Sequence, residues 1–333
     1  MIDAKQGLFS CINKHMESAS LSVYKRLKTE LDYITENEGA EVYMAAQGLV
    51  KLAREFGYYS TSRMHIGSSL IAYLLDITEV DPLRHNLSFE VFAGLDFDRQ
   101  PDIHLSFDAE FIPHAQRYMR DNFPDVYIMP EDSDLPPDCN AAIYFTVCQA
   151  YAKIKKLADM TGADISGIPF DDGKTLDMLM VADTSNVPTF DSDFARDMIK
   201  GTEPKTFDDF VKIYGLSKGI YVWSRLDDDG VNLVSSEMPA YSDIIVFRED
   251  IAAYLLDKGI DRAAAYEIME KVRKGRGLTV GHEEIMTNAG VPKCYIESCK
   301  NVKYLFPKGQ AVSDTMLAFR IAWFKAHYPE EFL

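Results

Sequence analysis

Apolar residues recur every three or four positions between residues 20 and 57, which is typical of helices that bury one face. The pattern predicts two helices in this stretch. The first is expected to end at Gly39 and the second at Gly57, because glycine is favoured just after a helix C-terminus. FIPHAQRYMRDNF, further along the chain, repeats the helical spacing. The N-terminal part is therefore expected to be rich in helices.

Two shorter segments carry a different pattern. PDIHLSF alternates strictly between polar and apolar residues, which predicts a strand with Asp102, His104 and Ser106 on one face. SFEVFAGLDF, directly before it, is also predicted to be a strand. MPEDSDLPPDCN, from Met129 to Asn140, is rich in Pro and Asp and predicts a loop. A small sheet among helices is therefore expected.

The second half of the chain has helical spacing almost throughout. The turn-rich sequence around Gly162 separates it from the first half. We therefore predict an α+β fold with two domains, residues 1–160 with a small sheet and N-terminal helices, and residues 161–333 almost entirely helical.

Composition limits the function classes. The formal net charge is −17, so the overall field repels DNA, and binding to duplex DNA is expected to be weak. No apolar run approaches the roughly 20 residues that span a bilayer, and the N-terminus lacks an export signal. The five cysteines are an odd number without a CxxC pair, which favours reduced thiols. We expect a cytoplasmic protein without membrane contact.

STSRMHIGSS is a short polar stretch that opens onto the apolar segment LIAYLLDI. Ser68 or Ser69 is expected to cap a helix that begins there. A helix N-terminus presents free backbone N–H groups, which suit a phosphate, although such helix starts are common in proteins. The segment is therefore a weak candidate for phosphate binding when taken alone.

Five segments, in order along the chain, together resemble one family. They are SRMHIGSSLIAYLLDITEVDPL, PDIHLSF, TEPKTFDDFVKIYGLSKGIYVW, EIMEKVRKGRGLT and YIESCKNVKYLFPKGQAVSDTMLAFRIAWFKAHYP. The family is the catalytic alpha subunit of bacterial DNA polymerase III in its PolC-type form. The resemblance covers most of residues 40–330. It implies a nucleotidyltransferase-like palm with a small sheet, an inserted thumb, and a helical fingers domain.

The resemblance also implies a catalytic site in which three carboxylates hold two magnesium ions. Asp102 matches the first carboxylate of the family strand Pro-Asp-x-Asp, and His104 stands at the second. Tyr144, in AIYFTV, stands at the third. Asp102 is therefore the only metal ligand that the resemblance leaves, and we expect magnesium to bind weakly or not at all. An Asp102–His104 pair would suit a softer metal better, and Asp108 is a further candidate ligand.

The interval between His104 and Tyr144 is short. Only 40 positions separate these residues, whereas the family places its thumb there. We therefore expect the thumb to be absent.

Other residues at family positions are polar or cationic. In the palm, the resemblance assigns phosphate contacts to Arg63, Gly67, Ser68 and Ser69. In the fingers, it assigns contacts with a triphosphate to Arg273, Lys274, Arg276 and Lys308. Gln310 and Lys218 stand where the family commonly has histidine. Cationic side chains are the expected partners of a triphosphate, although basic residues near a helix C-terminus can also complement its dipole.

Three functions remain open on the sequence alone. The first is a pseudo-polymerase that binds a deoxynucleoside triphosphate or a replication protein. The second is an active, reduced nucleotidyltransferase that uses Asp102 and magnesium. The third is an acidic interaction protein that modulates the replication machinery. Asp227, Asp228 and Asp229 form an acidic run that is expected to be a solvated turn.

Overall fold

A computed structural model describes residues 4–134, 142–219 and 245–332. Contacts divide the chain into two compact units. Unit 1 contains Met1–Met178 and Val312–Leu333, and unit 2 contains Leu179–Ala311. Asp227, Asp228 and Asp229 lie outside the described residues. Among the described residues, no helix combines the length and apolar character needed to cross a membrane.

Unit 1 begins with three helices. The second and third confirm the two helices predicted between residues 20 and 57, although Gly39 directly precedes the third helix rather than ending the second. Gly57 has φ +74°, the left-handed conformation expected after a helix. The bounds are α1 Ala4–Glu17, α2 Leu21–Glu36 and α3 Ala40–Glu55.

A four-stranded sheet follows, interspersed with short helices. The elements are β1 Thr61–Ser62, α4 Leu70–Leu74, α5 Glu90–Ala93, β2 Ile103–Phe107, α6 Ile112–Asn122, β3 Tyr127–Pro130, β4 Ala142–Val147 and α7 Gln149–Thr161. The strand order in the sheet is β1-β2-β4-β3, with β2 and β3 parallel to β4 and β1 antiparallel to β2. The predicted strand PDIHLSF and helix FIPHAQRYMRDNF are confirmed as β2 and α6.

Two predictions in this region are wrong. SFEVFAGLDF is not a strand, because it contains α5 and then turns at Gly94, whose φ is +86°. Phe89 and Phe92 lie three positions apart and both pack against the ring of Tyr33, which helical spacing allows. The predicted loop from Met129 also begins too early, since Met129 and Pro130 complete β3.

One face of the sheet carries the core of unit 1. Ile103, Leu105 and Phe107 of β2 are fully buried, and so is Ile143 of β4. They belong to one apolar cluster with residues of α1, α2, α3 and α6. Burial of this face fixes the register, because a shift by one residue would turn it outward. The alternate residues, including His104 and Tyr144, therefore lie on the opposite face.

The remaining helices include all those in the described part of unit 2. They are α8 Gly173–Met180, α9 Asp193–Thr202, α10 Phe207–Lys218, α11 Arg248–Asp257, α12 Arg262–Arg273, α13 Val280–Asn288, α14 Lys293–Asn301, α15 Lys308–His327 and α16 Pro329–Phe332. The mixed α+β fold with a small sheet followed by a mostly helical region is therefore confirmed.

The compact units differ from the predicted domains, which divide after residue 160. The first unit extends to Met178 and also takes in the C-terminal segment. Ile321 and Phe324 of α15 are fully buried in one apolar cluster with Ile154 and Leu157 of α7. This shared core explains why the end of the chain belongs to unit 1.

Candidate active site

The polar face of the sheet brings two predicted site residues side by side. His104 of β2 pairs with Tyr144 of β4 in the parallel register. Their rings stack with centroids 4.8 Å apart and planes inclined by 14°. The two residues that the resemblance assigns to carboxylate positions are therefore neighbours, and their two aromatic rings fill this part of the face.

Asp102 lies directly before β2. Its Oδ1 accepts a hydrogen bond of 3.0 Å from the backbone N–H of Ala142, the first residue of β4. Burial raises the pKa of Asp102, and the hydrogen bond from Ala142 only partly opposes this. Asp102 therefore helps to join the starts of two neighbouring strands.

Glu131 is a site residue that the sequence did not reveal. It follows β3, and its backbone N–H donates to the carbonyl oxygen of Phe145 at 3.0 Å. Its carboxylate accepts a hydrogen bond of 2.8 Å from the hydroxyl of Thr146. It also lies 3.4 Å from Nε of Arg63 and 3.8 Å from Nδ1 of His104. Glu131 therefore places a negative charge beside His104, but the guanidinium of Arg63 already pairs with this carboxylate.

The protonation of His104 follows from these surroundings. Burial lowers the pKa of His104, the charge of Glu131 raises it, and Arg63 lowers it. Nδ1 of His104 is buried and has no hydrogen-bond partner among the described residues. The net shift is downward, so the imidazole is neutral at pH 7.

These donors do not fit a pair of magnesium ions. Magnesium takes oxygen ligands in octahedral geometry, and two-metal sites hold both ions between shared carboxylates. Asp102 is the only carboxylate that the resemblance assigns to the catalytic site, and Glu131 is paired with Arg63. Over the described ranges, no group of three or more His, Cys, Asp or Glu side chains is arranged to hold a metal ion. We therefore derive no catalytic step through magnesium.

Asp108 has a local structural role instead. It is buried, and its Oδ1 accepts a hydrogen bond of 2.8 Å from the backbone N–H of Glu110. It thereby caps the 3₁₀ turn Ala109–Phe111 that leads into α6.

The predicted helix cap is confirmed at Ser69, whose hydroxyl accepts a hydrogen bond of 3.1 Å from the N–H of Ala72. The N–H groups of Leu70 and Ile71, however, each donate to the carboxylate of Glu30 at 3.0 Å. Gly67, Ser68 and Ser69 are buried. The expectation that this helix start offers free N–H groups to a phosphate is corrected, because a carboxylate from α2 already accepts their hydrogen bonds.

The fingers-like cations lie in unit 2. Arg273 and Lys274 both pair with Glu270 at the end of α12. Lys308 begins α15, where its Nζ lies 3.8 Å from Asp250 and its N–H donates to Glu249 at 3.1 Å.

The three remaining candidates in unit 2 have different surroundings. Arg276 is exposed and makes no ion pair with a described residue. Gln310 is buried, and Lys218 lies 5.3 Å from the ring centroid of Tyr214. The phosphate-binding roles of all these fingers-like residues stay predictions.

Two family models, which describe two domains of one polymerase subunit, match the chain. The profile described as "Bacterial DNA polymerase III alpha NTPase domain" matches residues 4–129. The profile described as "Bacterial DNA polymerase III alpha subunit finger domain" matches residues 146–291. The residues between the two matches overlap the interval in which the thumb is expected to be absent.

Several curated relatives carry the name "DNA polymerase III PolC-type". The protein from Thermotoga petrophila is 31% identical over 93% of this chain and 33% of its own length. The relative from Caldanaerobacter subterraneus subsp. tengcongensis is 29% identical over 93% of this chain and 32% of its length. That from Bacillus subtilis is 27% identical over 92% and 31%. The chain spans about one third of the length of these relatives.

The extent of the alignments shows that the chain lacks internal sequence. The first alignment runs over 449 positions, whereas 93% of 333 residues is about 310. Roughly 140 aligned positions therefore have no residue from this chain. A loss of this size within the matched span agrees with a thumb that is absent.

Proposed function

We propose that this chain, which belongs to the family of bacterial DNA polymerase III alpha subunits, is a pseudo-polymerase that binds a deoxynucleoside triphosphate or a replication protein in the cytoplasm. Its homology to PolC-type polymerases is the premise.

The observation that carries the proposal is the stacked pair of His104 and Tyr144. These rings stand where the resemblance places two of three metal-binding carboxylates. A neutral imidazole and a phenol do not replace the charge that two magnesium ions require. The remaining acid, Asp102, already accepts a backbone hydrogen bond. Such a face supports binding better than two-metal catalysis.

The charge of the chain favours a small nucleotide or a protein over duplex DNA as the partner. Affinity for duplex DNA depends on neutralising many phosphates, which a net charge of −17 opposes. A nucleotide needs only a few local cations, such as those at the end of α12. Magnesium is expected to bind weakly or not at all, because magnesium requires several oxygen ligands.

A primer-extension assay tests the proposal. The wild-type chain is expected to add no nucleotides to a primed template in the presence of magnesium or manganese, because two carboxylates are missing. A PolC-type relative serves as the positive control. Asp102→Ala and Asp96→Ala form a matched pair, since both remove an acid from the same segment and Asp96 is exposed. Template-dependent extension that Asp102→Ala abolishes and Asp96→Ala preserves would overturn the proposal.

Glu131 favours a second candidate, an active but reduced nucleotidyltransferase. It places a carboxylate on the same sheet face, 3.8 Å from Nδ1 of His104. In this case Glu131→Gln should abolish extension as fully as Asp102→Ala does. The same assay therefore separates the two candidates.

A further inference from the structure

The end of α12 contains an ion-pair cluster on residues assigned to phosphate binding. Glu270 accepts two hydrogen bonds from Arg273, 2.5 Å from Nε and 2.7 Å from Nη2. Nζ of Lys274 lies 2.9 Å from Oε2 of the same carboxylate. A single acid thus binds two of the four cations that the fingers-like region offers to a triphosphate.

Arg273 and Lys274 stabilise the ionised form of Glu270. Burial alone acts to raise its pKa, but the hydrogen bonds and charges of Arg273 and Lys274 lower the pKa to about 2. The side chains of Glu270 and Arg273 are 28% and 19% exposed. Because the pair is only partly hydrated, it is stronger than an ordinary surface ion pair.

The loop after α12 keeps this cluster beside other cations. Gly275 and Gly277 have φ values of +67° and +66°, which side chains other than glycine rarely adopt. A Cβ atom on Gly275 would lie 2.4 Å from the carbonyl oxygen of Lys303, so the two backbone segments approach closely. Lys303 and Arg276 are both exposed and have no ion-pair partner among the described residues. The segment can therefore contact an anion without first breaking every ion pair.

Other cations that are predicted to bind phosphate also pair with an acidic side chain. Arg63 lies against Glu131, and Lys308 against Asp250. The arrangement at Glu270 differs because both carboxylate oxygens and two cations take part. It is therefore the strongest internal competitor for an anionic ligand among these pairs.

We propose that Glu270 determines which anions the Arg273–Lys274 segment accepts, by competing with phosphate groups for both cations. This inference rests on the proposed function in one respect, the identity of the ligand as a phosphate-bearing nucleotide. A triphosphate carries several charges and can replace one carboxylate, whereas a single phosphate gains little by the exchange. Glu270 thus favours triphosphates over monophosphates.

Glu270→Gln tests this role. The amide has nearly the same shape but no charge, so it leaves Arg273 and Lys274 free to bind phosphate. We expect dATP and inorganic tripolyphosphate to bind about tenfold more tightly than to the wild type at fixed salt. The affinity for dAMP should increase by a larger factor than the affinity for dATP, so that discrimination between triphosphate and monophosphate falls. Isothermal titration calorimetry measures all three ligands.

Glu267→Gln is the matched control. Glu267 lies on the same helix and pairs with Lys271 and His282, neither of which is assigned to phosphate binding. Its replacement removes the same net charge and should change the affinities less than about twofold. Equal effects of Glu267→Gln and Glu270→Gln would show a general change of field and overturn the inference.

Two further outcomes decide the inference. Glu270→Asp keeps the charge but shortens the side chain, and it should give an intermediate affinity; it also provides a second variant if Glu270→Gln does not fold. If no variant binds dATP or tripolyphosphate at millimolar concentration, Glu270 does not control access and the inference fails. The primer-extension assay is independent of these measurements, so the pseudo-polymerase proposal can survive that failure.

Discussion

Arg320→Met is expected to lower the free energy of unfolding of unit 1 by about 3 kcal/mol. Arg320 is buried in α15, and its Nη1 and Nη2 donate to the two carboxylate oxygens of Glu79 at 2.6 and 2.9 Å. It also donates to the hydroxyl of Tyr59, which in turn donates to Glu79 at 2.6 Å. Methionine retains much of the volume but leaves Glu79 without its cation.

The guanidinium also packs against aromatic rings. Its central carbon lies 4.9 Å from the ring centroid of Tyr59 and 5.0 Å from that of Phe170. Arg320→Lys keeps the charge but loses the paired hydrogen bonds and the flat stacking surface, so it should be destabilising to a smaller degree. An Arg320→Lys variant as unstable as Arg320→Met would show that the stabilisation comes from the geometry of the guanidinium and not from its charge.

Urea unfolding followed by Trp323 fluorescence measures the change, because Trp323 lies on the same helix. The experiment uses a Trp223→Phe background, which leaves Trp323 as the only tryptophan. Adding Glu79→Gln to Arg320→Met should cost less than the sum of the two single changes, since the residues interact directly. Strict additivity would contradict the ion pair.

The loss of stability caused by Arg320→Met should also depend on pH. The pKa of Glu79 in the folded chain is lowered: burial acts to raise it, but Arg320 and Tyr59 outweigh burial. A lowered folded pKa adds stability above the unfolded value, about 4.3, and this stability is lost as pH falls through the folded value. The difference between wild type and Arg320→Met is therefore expected to be full at pH 7 and to shrink below about pH 4.3.

The strand β2 and the helices could be predicted because their periodicity reflects burial of one face. The apolar residues of PDIHLSF are in the core, as the alternation indicates. β3 could not be predicted in this way, because it is an edge strand whose residues are exposed or only partly buried, and it ends in a proline. The local sequence before Pro130 is a short apolar run, Val126–Met129, without the polar and apolar alternation that marks β2.

The candidate site could be predicted only in part, because one of its residues follows β3, which the sequence pattern does not indicate. The resemblance placed His104 and Tyr144 at neighbouring positions, and the parallel register of β2 and β4 agrees with that placement. Glu131 reaches the site through the missed strand, so nothing in local spacing pointed to it. Glu30 is distant in sequence from the loop that it binds, and only the tertiary structure brings them together.

Glu30 carries the other large expected effect: Glu30→Ala should destabilise unit 1 by about 3–5 kcal/mol. The carboxylate is fully buried and accepts hydrogen bonds from the hydroxyl of Ser69 and from the N–H groups of Leu70 and Ile71. It also pairs with Arg26. Alanine leaves three buried donors and one cation without their acceptor, and each unmet buried donor costs about 1–3 kcal/mol when it is not hydrated.

Two variants separate charge from hydrogen bonding in this cluster. Glu30→Gln keeps one acceptor oxygen and should lose less stability than Glu30→Ala. Asp32→Ala is the matched control, because Asp32 is exposed on the same helix and its ion-pair partner among the described residues is the exposed Lys28, so little change is expected. Circular dichroism during urea unfolding compares the three variants. If Glu30→Ala unfolds at the same urea concentration as Asp32→Ala, the buried carboxylate does not hold the start of α4, and the N–H groups of Leu70 and Ile71 would again be candidates for a bound phosphate.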